Sequence, residues 1–172
     1  MKAPAQFVDQ RQVRRNFARA ASTYDEVSVL QREVSSRMLE RLDYVRIEPQ
    51  RVLDLGCGTG ASLTPLQERY PKATLLGVDL SDPMLRAGQA QRSRLRWLLP
   101  FLRRQRPLLL AADATSLPVN AQSIDLLWSN LMLHWLDDPL PAFGEVYRLL
   151  KHDGLLMFST LGPDTLKELR AS

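Results

Sequence analysis

The segment 51–60, RVLDLGCGTG, constrains the fold more than any other stretch of this chain. Its first five residues form a short apolar run without polar alternation, which is typical of a strand buried on both faces of a parallel sheet. Gly56, Gly58 and Gly60 follow at every second position, so the backbone can turn tightly and a ligand can lie against bare main chain. We expect the turn to open a helix whose free N–H groups face that ligand. Asp54 lies at the carboxyl end of the strand, where open α/β sheets bind their ligands.

Two classes of cofactor use such a glycine turn, and the position of Asp54 separates them. The run Gly56-x-Gly58-x-x-Ala61 satisfies the loose dinucleotide fingerprint. A carboxylate two residues before the first glycine would repel a dinucleotide pyrophosphate, whereas a sulfonium or ammonium group would be attracted to it. The alternation D-x-G-x-G-x-G resembles motif I of class I S-adenosylmethionine-dependent methyltransferases. A purely structural turn without a ligand is the remaining alternative, and Cys57 is expected to contribute backbone rather than thiol chemistry.

Strand and helix patterns alternate along the rest of the chain, which predicts a Rossmann-like, doubly wound parallel sheet of the α/β class. The five predicted strands are 51–55, Ala73–Val78, Pro107–Ala111, Ile124–Trp128 and Leu155–Thr160. The predicted helices of this part run from Ala61 to Arg69, from Ser81 or Asp82 onward, from Leu140 to Leu150 with a stop at Lys151-His152-Asp153-Gly154, and from Gly162 onward.

A class I methyltransferase core normally has seven strands, and only five are predicted here. We therefore expect a chain that is truncated before the last two strands and that turns over weakly or not at all. Two helices are predicted ahead of the core, Asp9–Ala21 and Val27–Leu42, separated by an interruption at Ser22–Asp25. We interpret residues 1–48 as an N-terminal helical cap and residues 49–172 as the methyltransferase core.

Length and composition restrict the number of domains, the cellular location and the kinds of site that this chain can have. A chain of 172 residues with 45% hydrophobic residues is long enough for one domain with a full core. It has neither an apolar run long enough to span a membrane nor an apolar signal core, so we expect a cytoplasmic protein. With one cysteine and two histidines, a dedicated metal site is not expected. The net charge of +4, mostly from arginine, indicates either an acidic partner or a solvated basic face.

Acidic residues recur where predicted strands end, at Asp54, Asp79 and Asp113. In a parallel sheet these positions share one edge, so we expect them to lie near each other and near the glycine turn. Asp79 follows Gly56 by 23 residues, a distance that suits an acid binding the ribose hydroxyls. Leu80 and Met84 are expected to cover one face of an adenine. Each acid alone would more simply be a helix cap or a loop carboxylate.

The segment after the fourth predicted strand is Ser129-Asn130-Leu131-Met132-Leu133-His134-Trp135. Amino-directed DNA methyltransferases carry an Asn/Asp-Pro-Pro-aromatic motif at this position, and the missing prolines disfavour a nucleic-acid substrate. Asn130 is included among the candidate cofactor-binding residues. His134 is either a base or, as the simpler alternative, a residue that packs beside Trp135.

Several segments of the chain are similar to the malonyl-acyl-carrier-protein O-methyltransferase family of biotin synthesis. The N-terminal and glycine segments are VRRNFARAASTYD (13–25), LQREV (30–34) and the glycine turn, and the later segments are LHWLDD (133–138) and FSTLGPDTLKELR (158–170). The glycine turn is shared by the whole superfamily, whereas the outer segments are narrower. They also occur in relatives, including an assembly factor of a respiratory complex.

The resemblance implies a cofactor, a substrate and a partner. The cofactor is S-adenosylmethionine, and the methyl acceptor is the free carboxyl group of a malonyl thioester on acyl carrier protein. The resemblance also implies a role for each candidate residue. Gly56, Gly58 and Gly60 make room for the methionine part beside Asp54 and Cys57. Asp79, Leu80 and Met84 bind ribose and adenine, and Asp113 and Ala114 hold the adenine amino group. Tyr24 closes over the methyl-transfer site, and Arg103, Arg104 and Arg106 meet the acidic carrier protein. The alternatives are a methyltransferase of another small molecule, such as a quinone precursor, and a non-methylating assembly factor that keeps the fold.

Overall fold

The computed structural model describes residues 9–98, 106–162 and 165, except for the side chains of 94–98. The helices in these ranges are α1 (Gln10–Ala20), α2 (Tyr24–Val27), α3 (Val29–Arg41), α4 (Leu63–Arg69), α5 (Asp82–Leu98) and α6 (Leu140–Leu149), with short 3₁₀ turns at Leu42–Tyr44 and Leu133–Trp135. The strands are β1 (Arg51–Leu55), β2 (Thr74–Asp79), β3 (Leu108–Ala111), β4 (Ile124–Asn130) and β5 (Leu150–Ser159). The helix predicted from Gly162 onward lies almost wholly outside the described residues.

The strands form a parallel sheet in the order β3-β2-β1-β4-β5. The chain therefore moves outward from β1 to β3, returns to the other side of β1, and continues outward to β5. β1 lies at the centre, where Leu53 pairs with Leu76 of β2 and Leu127 of β4. The order reverses at β1, so the crevice for a ligand is expected beside the carboxyl end of that strand. The predicted doubly wound parallel sheet is confirmed.

Both faces of the sheet are buried, as the apolar runs predict. On one face Val52, Leu126 and Trp128 pack with Met38 of α3 and Leu66 of α4. The second face is covered mainly by α6, and its cluster is Leu53, Leu55, Val78, Leu127, Val146 and Leu149. A fully buried side chain of this size contributes about 1.5–3 kcal/mol. Because α3 supplies part of the first cluster, the N-terminal helices are fixed against the core.

The N-terminal helices differ from the prediction in one place. Tyr24 and Asp25 were expected to interrupt the helices, but they begin the single turn α2. The predicted interruption is thus shorter, a turn over residues 21–23, and a second break lies at Ser28, which has a ψ of 45° and is 4% exposed. Its amide donates to the carbonyl of Tyr24, and its own carbonyl accepts from the amide of Arg32, so this residue ends α2 and begins α3. The division into a cap of residues 1–48 and a core of 49–172 stays a prediction.

β5 begins earlier than predicted. The segment Lys151–Gly154, expected to end a helix, lies inside β5 because α6 ends at Leu149 and the strand begins at once. Ile124 pairs with Leu150, whereas Leu126 pairs with Leu155, so the register shifts and β5 bulges between them. Asp153 has a φ of 64°, the left-handed conformation that allows such a bulge. Both ends of β1 are as predicted, and the other strand ends agree with the prediction or differ by one or two residues.

Among the described helices, none combines the length and the apolar character needed to cross a membrane.

Candidate cofactor-binding site

The glycine turn after β1 has a backbone that residues with a side chain rarely adopt. Gly56, Gly58 and Gly60 have φ values of 76°, 57° and 81°, all in the left-handed region. The amides of Gly56 and Cys57 both donate to the carbonyl of Val78, at 2.8 and 3.0 Å, which fixes the turn against β2. A Cβ atom on Gly56 would lie 2.2 Å from Cγ of Met132. Glycine is therefore required at position 56 by both conformation and space.

Asp79, the last residue of β2, connects the turn to the start of α5. Its Oδ2 accepts from the amide of Gly58 at 2.8 Å, and its Oδ1 accepts from the amide of Ser81 at 2.8 Å. Burial raises the pKa of the Asp79 carboxyl, and these two backbone hydrogen bonds oppose that rise. Each carboxylate oxygen can accept a further hydrogen bond. The group can therefore support the turn and still receive two hydroxyls of a ligand.

Asp54 lies deeper, at the carboxyl side of β1, and is 2% exposed. Its Oδ2 atom has no hydrogen-bond partner among the described residues. Burial, followed by the nearby charge of Asp79, raises the pKa of the Asp54 carboxyl to about 8. At neutral pH this carboxyl is therefore largely protonated in the free chain. An incoming cation would ionise it and give Oδ2 a partner, which is the chemistry expected of a site for an ammonium or sulfonium group.

Two cavities adjoin the glycine turn in the described part of the chain. The first, which we call the Asp79 cavity, has a volume of about 100 Å³ and is lined by Asp79, Leu80, Met84, Asp113, Ala114 and residues of α1. The second, the Asp54 cavity, has a volume of about 330 Å³ and is lined by Asp54, Cys57, Thr59, Ser62 and polar residues of α3. Both are lined by Tyr24, Gly56, Gly58 and Asn130. One elongated ligand could therefore pass over the glycine turn, with one end in each cavity.

Tyr24 of α2 stands where the two cavities meet. Its Cε1 lies 4.0 Å from the position that a Cβ atom on Gly58 would take. Its ring meets that of Phe17 edge to face, with centroids 5.9 Å apart. Burial raises the pKa of the phenol, and the charges of Asp79 and Asp25 raise it further, so the group stays protonated and can donate a hydrogen bond.

Three of the predicted residues have an environment that the sequence did not indicate. Gly60 lines neither cavity, and a Cβ atom there would lie 2.5 Å from Nη1 of Arg92. Asp113 is exposed, and its Oδ1 accepts from both the amide and the hydroxyl of Thr115 at 2.8 Å. The amide group of Asn130 donates to the carbonyl of Gln31 and accepts from the hydroxyl of Ser159, each at 2.8 Å. The polar atoms of Asn130 thus connect α3 to β5.

Of the remaining candidates, the two that the structure describes, His134 and Arg106, line neither cavity. His134 packs against Trp135, with ring centroids 5.2 Å apart, and it lines neither cavity. This position agrees with the packing alternative. Arg103 and Arg104 lie outside the described residues, whereas Arg106 is described and exposed.

The sequence interpretation missed three residues that surround the turn. The carboxylate of Asp25 accepts from the hydroxyl of Thr59 at 2.6 Å. Nη1 of Arg92 donates to the carbonyl of Thr59 at 2.7 Å. One turn earlier on α5, a Cβ atom on Gly88 would lie 1.7 Å from that same carbonyl oxygen. A glycine inside a helix usually has a packing reason, so Gly88 was the one signal available in the sequence.

Comparison with known sequences identifies the chain as a methyltransferase domain. Residues 53–158 match the family model described as a methyltransferase domain. A malonyl-[acyl-carrier protein] O-methyltransferase of Methylovorus sp. strain MP688 is 52% identical over 172 residues, which is 100% of this chain and 57% of that protein. The chain thus spans little more than half the length of this relative. The resemblance noted from the outer segments is confirmed.

Structure comparison supports the fold. A chain in the Haloferax volcanii complex between the Trm112 methyltransferase activator and a methyltransferase superposes with a TM-score of 0.71 at 24% identity, covering 86% of this chain and 60% of that one. The plantazolicin methyltransferase BpumL, solved with a desmethylPZN analogue and SAH, gives a TM-score of 0.65 at 17% identity, covering 92% and 55%. At these identities the likeness concerns the fold alone.

Proposed function

Since the chain belongs to the methyltransferase domain family, we propose that it binds S-adenosylmethionine and directs its methyl group to the free carboxylate of malonyl-acyl carrier protein. The observation that carries the proposal is the 52% identity along the whole chain to a relative of that name. S-adenosylmethionine supplies an electrophilic methyl group when it is bound. The two cavities joined at the glycine turn support this choice, since they suit a long ligand with a cationic end.

The proposed binding mode assigns one end of the cofactor to each cavity. In the Asp79 cavity, Asp79 accepts the ribose hydroxyls, and Leu80, Met84 and Ala114 surround the adenine, with Asp113 at its exposed edge. In the Asp54 cavity, the unpartnered Oδ2 of Asp54 accepts the methionine ammonium. Gly56 and Gly58 let the middle of the ligand lie against the main chain, and Cys57 contributes backbone there.

The acceptor requires little acid–base chemistry from the protein. A carboxyl group with an ordinary pKa near 4 is ionised at pH 7 and can attack a methyl group directly. The protein then acts by orientation and by exclusion of water, and orientation can contribute roughly 7–11 kcal/mol in favourable cases. Tyr24 lies at the junction of the cavities with its phenol protonated. We assign it the role of holding the acceptor carboxylate by a hydrogen bond.

The carrier protein would meet a basic surface. α1 carries a group of four exposed arginines: Arg11, Arg14, Arg15 and Arg19. Because α1 also lines the Asp79 cavity, this surface lies beside the proposed site. Such a charge steers an acidic partner mainly through its association rate. Arg106, with Arg103 and Arg104, is a second candidate for this contact.

A chimera tests the proposed acceptor without depending on the length of this chain. In the Methylovorus relative, the matching part would be replaced by these 172 residues, and methyl transfer would be measured to malonyl-, acetyl- and unloaded acyl carrier protein. We expect transfer to the malonyl form only, and loss of transfer in the chimera carrying Asp79→Ala. A chimera that binds S-adenosylmethionine but methylates only other small acceptors would contradict the assigned substrate and favour the small-molecule alternative.

A further inference from the structure

Thr59 is the residue at which the N-terminal helices, the glycine turn and α5 meet. Its side chain is almost completely buried, with an exposed fraction of 4%. The hydroxyl donates to Oδ1 of Asp25 at 2.6 Å, and the carbonyl accepts from Nη1 of Arg92 at 2.7 Å. It lies between Gly58 and Gly60, both in the left-handed conformation. A movement of Thr59 would therefore displace both the glycine turn and α2.

The helix α2 depends on contacts of this kind for its position. It has four residues, Tyr24–Val27, and one isolated helical turn is not stable in water. The carbonyl of Asp25 accepts from Nη1 of Arg32, and the carbonyl of Tyr24 accepts from the amide of Ser28. These contacts fix α2 to α3. Within the described part of the chain, the hydrogen bond that fixes α2 to the glycine turn is the one between Asp25 and Thr59.

The neighbour of Asp25 in α2 is Tyr24, which lines both cavities. A shift of α2 away from the turn would move the Tyr24 ring away from Gly58, where its Cε1 atom now lies 4.0 Å from the position that a Cβ atom on this glycine would take. It would also separate the ring from Phe17 of α1. The position of Tyr24 is thus linked to the conformation of the turn through the hydrogen bond between Asp25, which is half-buried, and the buried Thr59.

We propose that Asp25 is a positioning residue: through its hydrogen bond with Thr59 it holds Tyr24 over the glycine turn, so that ligand binding to the turn and docking of α1 and α2 stabilise each other. Coupling between two such sites is reciprocal, so each event favours the other by the same factor. The choice of S-adenosylmethionine as the ligand rests on the proposed function, whereas the contact itself does not.

Chymotrypsin cleavage of the free chain tests the contact directly. Chymotrypsin cuts after aromatic residues, so cleavage after Phe17 and Tyr24, identified by fragment mass, reports undocking of α1 and α2. Thr59→Val keeps the shape of the side chain but removes the hydroxyl. We expect about 5–10-fold faster cleavage, because this factor corresponds to the usual free-energy contribution of one such hydrogen bond. Thr59→Ser and Asp25→Asn keep a donor and an acceptor and should be cleaved at the parent rate. Thr74→Val, at an exposed threonine outside both cavities, is the matched control.

The coupling is tested by adding S-adenosylmethionine and measuring affinity by calorimetry. In the parent, the ligand should slow cleavage at both bonds. Thr59→Val and Asp25→Ala should each weaken binding by about 5–10-fold, and the double variant should bind no more weakly than the weaker single variant. Parent-like cleavage of Thr59→Val, or losses of affinity that multiply in the double variant, would overturn the proposal. If the parent binds no S-adenosylmethionine, the proposed function fails, and cleavage of the free chain still decides the role of Asp25.

Discussion

At the residue scale, the unusual group is Asp54, a carboxyl that is buried without a partner for Oδ2 among the described residues. Its pKa of about 8 lies above the ordinary value near 4, so the free folded chain holds a proton that the unfolded chain has lost at neutral pH. The stability contributed by this group is complete at low pH and is lost as the pH rises toward 8. Near neutral pH the buried Asp54 therefore lowers the stability of the fold, as is common for groups whose pKa is shifted at a ligand-binding site.

The protonation of Asp54 in the free chain leads to a prediction for the pH dependence of ligand affinity. If a cationic part of the ligand ionises Asp54, binding releases one proton below pH 8, and the affinity should rise by up to about tenfold per pH unit between pH 6 and 7.5. A ligand α-amino group stays largely protonated in this range. Calorimetry in two buffers of different ionisation enthalpy would measure the released proton. Asp54→Asn, which cannot ionise, should bind more weakly and lose the pH dependence, whereas an unchanged slope would contradict the assigned contact.

The sequence predicted which residues meet near the glycine turn only where those residues are close in sequence or follow from the strand spacing. Asp54, Gly56 and Gly58 lie within five positions, and Asp79 follows at a spacing that parallel strands impose, so their meeting at one edge could be derived. The bond between Asp25 and Thr59 joins residues 34 positions apart, and the bond between Arg92 and Thr59 joins residues 33 positions apart. No periodicity marks such pairs. The cofactor roles of all these residues stay predictions.

At the element scale, α5 approaches the glycine turn unusually closely, and Gly88 is the reason. A Cβ atom there would lie 1.7 Å from the carbonyl oxygen of Thr59, which is backbone and cannot move aside cheaply. Arg92, one turn later, donates to the same carbonyl. Helix α5 therefore packs directly against the turn, which explains why an added Cβ atom would meet Arg92 at Gly60 and Thr59 at Gly88 rather than a cavity.

Two glycine variants test this packing against each other. Gly88→Ala should destabilise the chain by about 1–3 kcal/mol because the added methyl group overpacks the turn. Gly144→Ala, in the exposed part of α6 with no atom within 4 Å of the new methyl group, should instead stabilise by about 0.5–1 kcal/mol through helix propensity. Urea unfolding of the three proteins measures both changes. Equal stabilisation by the two substitutions would show that α5 does not contact the turn in this way.

Element boundaries were predictable where apolar runs and breakers coincide, as in β1 and α6. They were not predictable where tertiary contacts decide, since α2 depends on Arg32, Ser28 and Thr59 rather than on its own four residues. In β5 the polar segment Lys151–Gly154 resembles a helix stop. Lys151, however, pairs with Asp125 of β4 at 2.7 Å, and the left-handed Asp153 absorbs the register shift, so the strand continues through it.

At the scale of the whole molecule, the N-terminal helices and the core act as one unit. α3 contributes Met38 to the core, and Gln10 of α1 donates to the carbonyl of Trp135 at 2.7 Å. Phe17 meets both Tyr24 and Trp135 edge to face, with centroid distances of 5.9 and 5.2 Å. Because these contacts surround the two cavities, a ligand there should stabilise helices and sheet together in a single unfolding transition.

This cooperativity predicts the thermal response of the chain. At a concentration 100 times its dissociation constant, S-adenosylmethionine should stabilise the fold by about 2.7 kcal/mol, which raises Tm by about 5–11 °C for a domain of this size. Asp79→Ala removes a carboxylate that accepts charge-assisted hydrogen bonds, so affinity should fall by roughly 10–100-fold and the shift at the same ligand concentration should shrink to a few degrees or less. The shift, rather than Tm itself, is compared because the variant also loses two backbone hydrogen bonds. Asp43→Ala, at an exposed acid outside both cavities, is the control and should keep the full shift. A full shift in Asp79→Ala would mean that the ligand binds elsewhere than across the glycine turn.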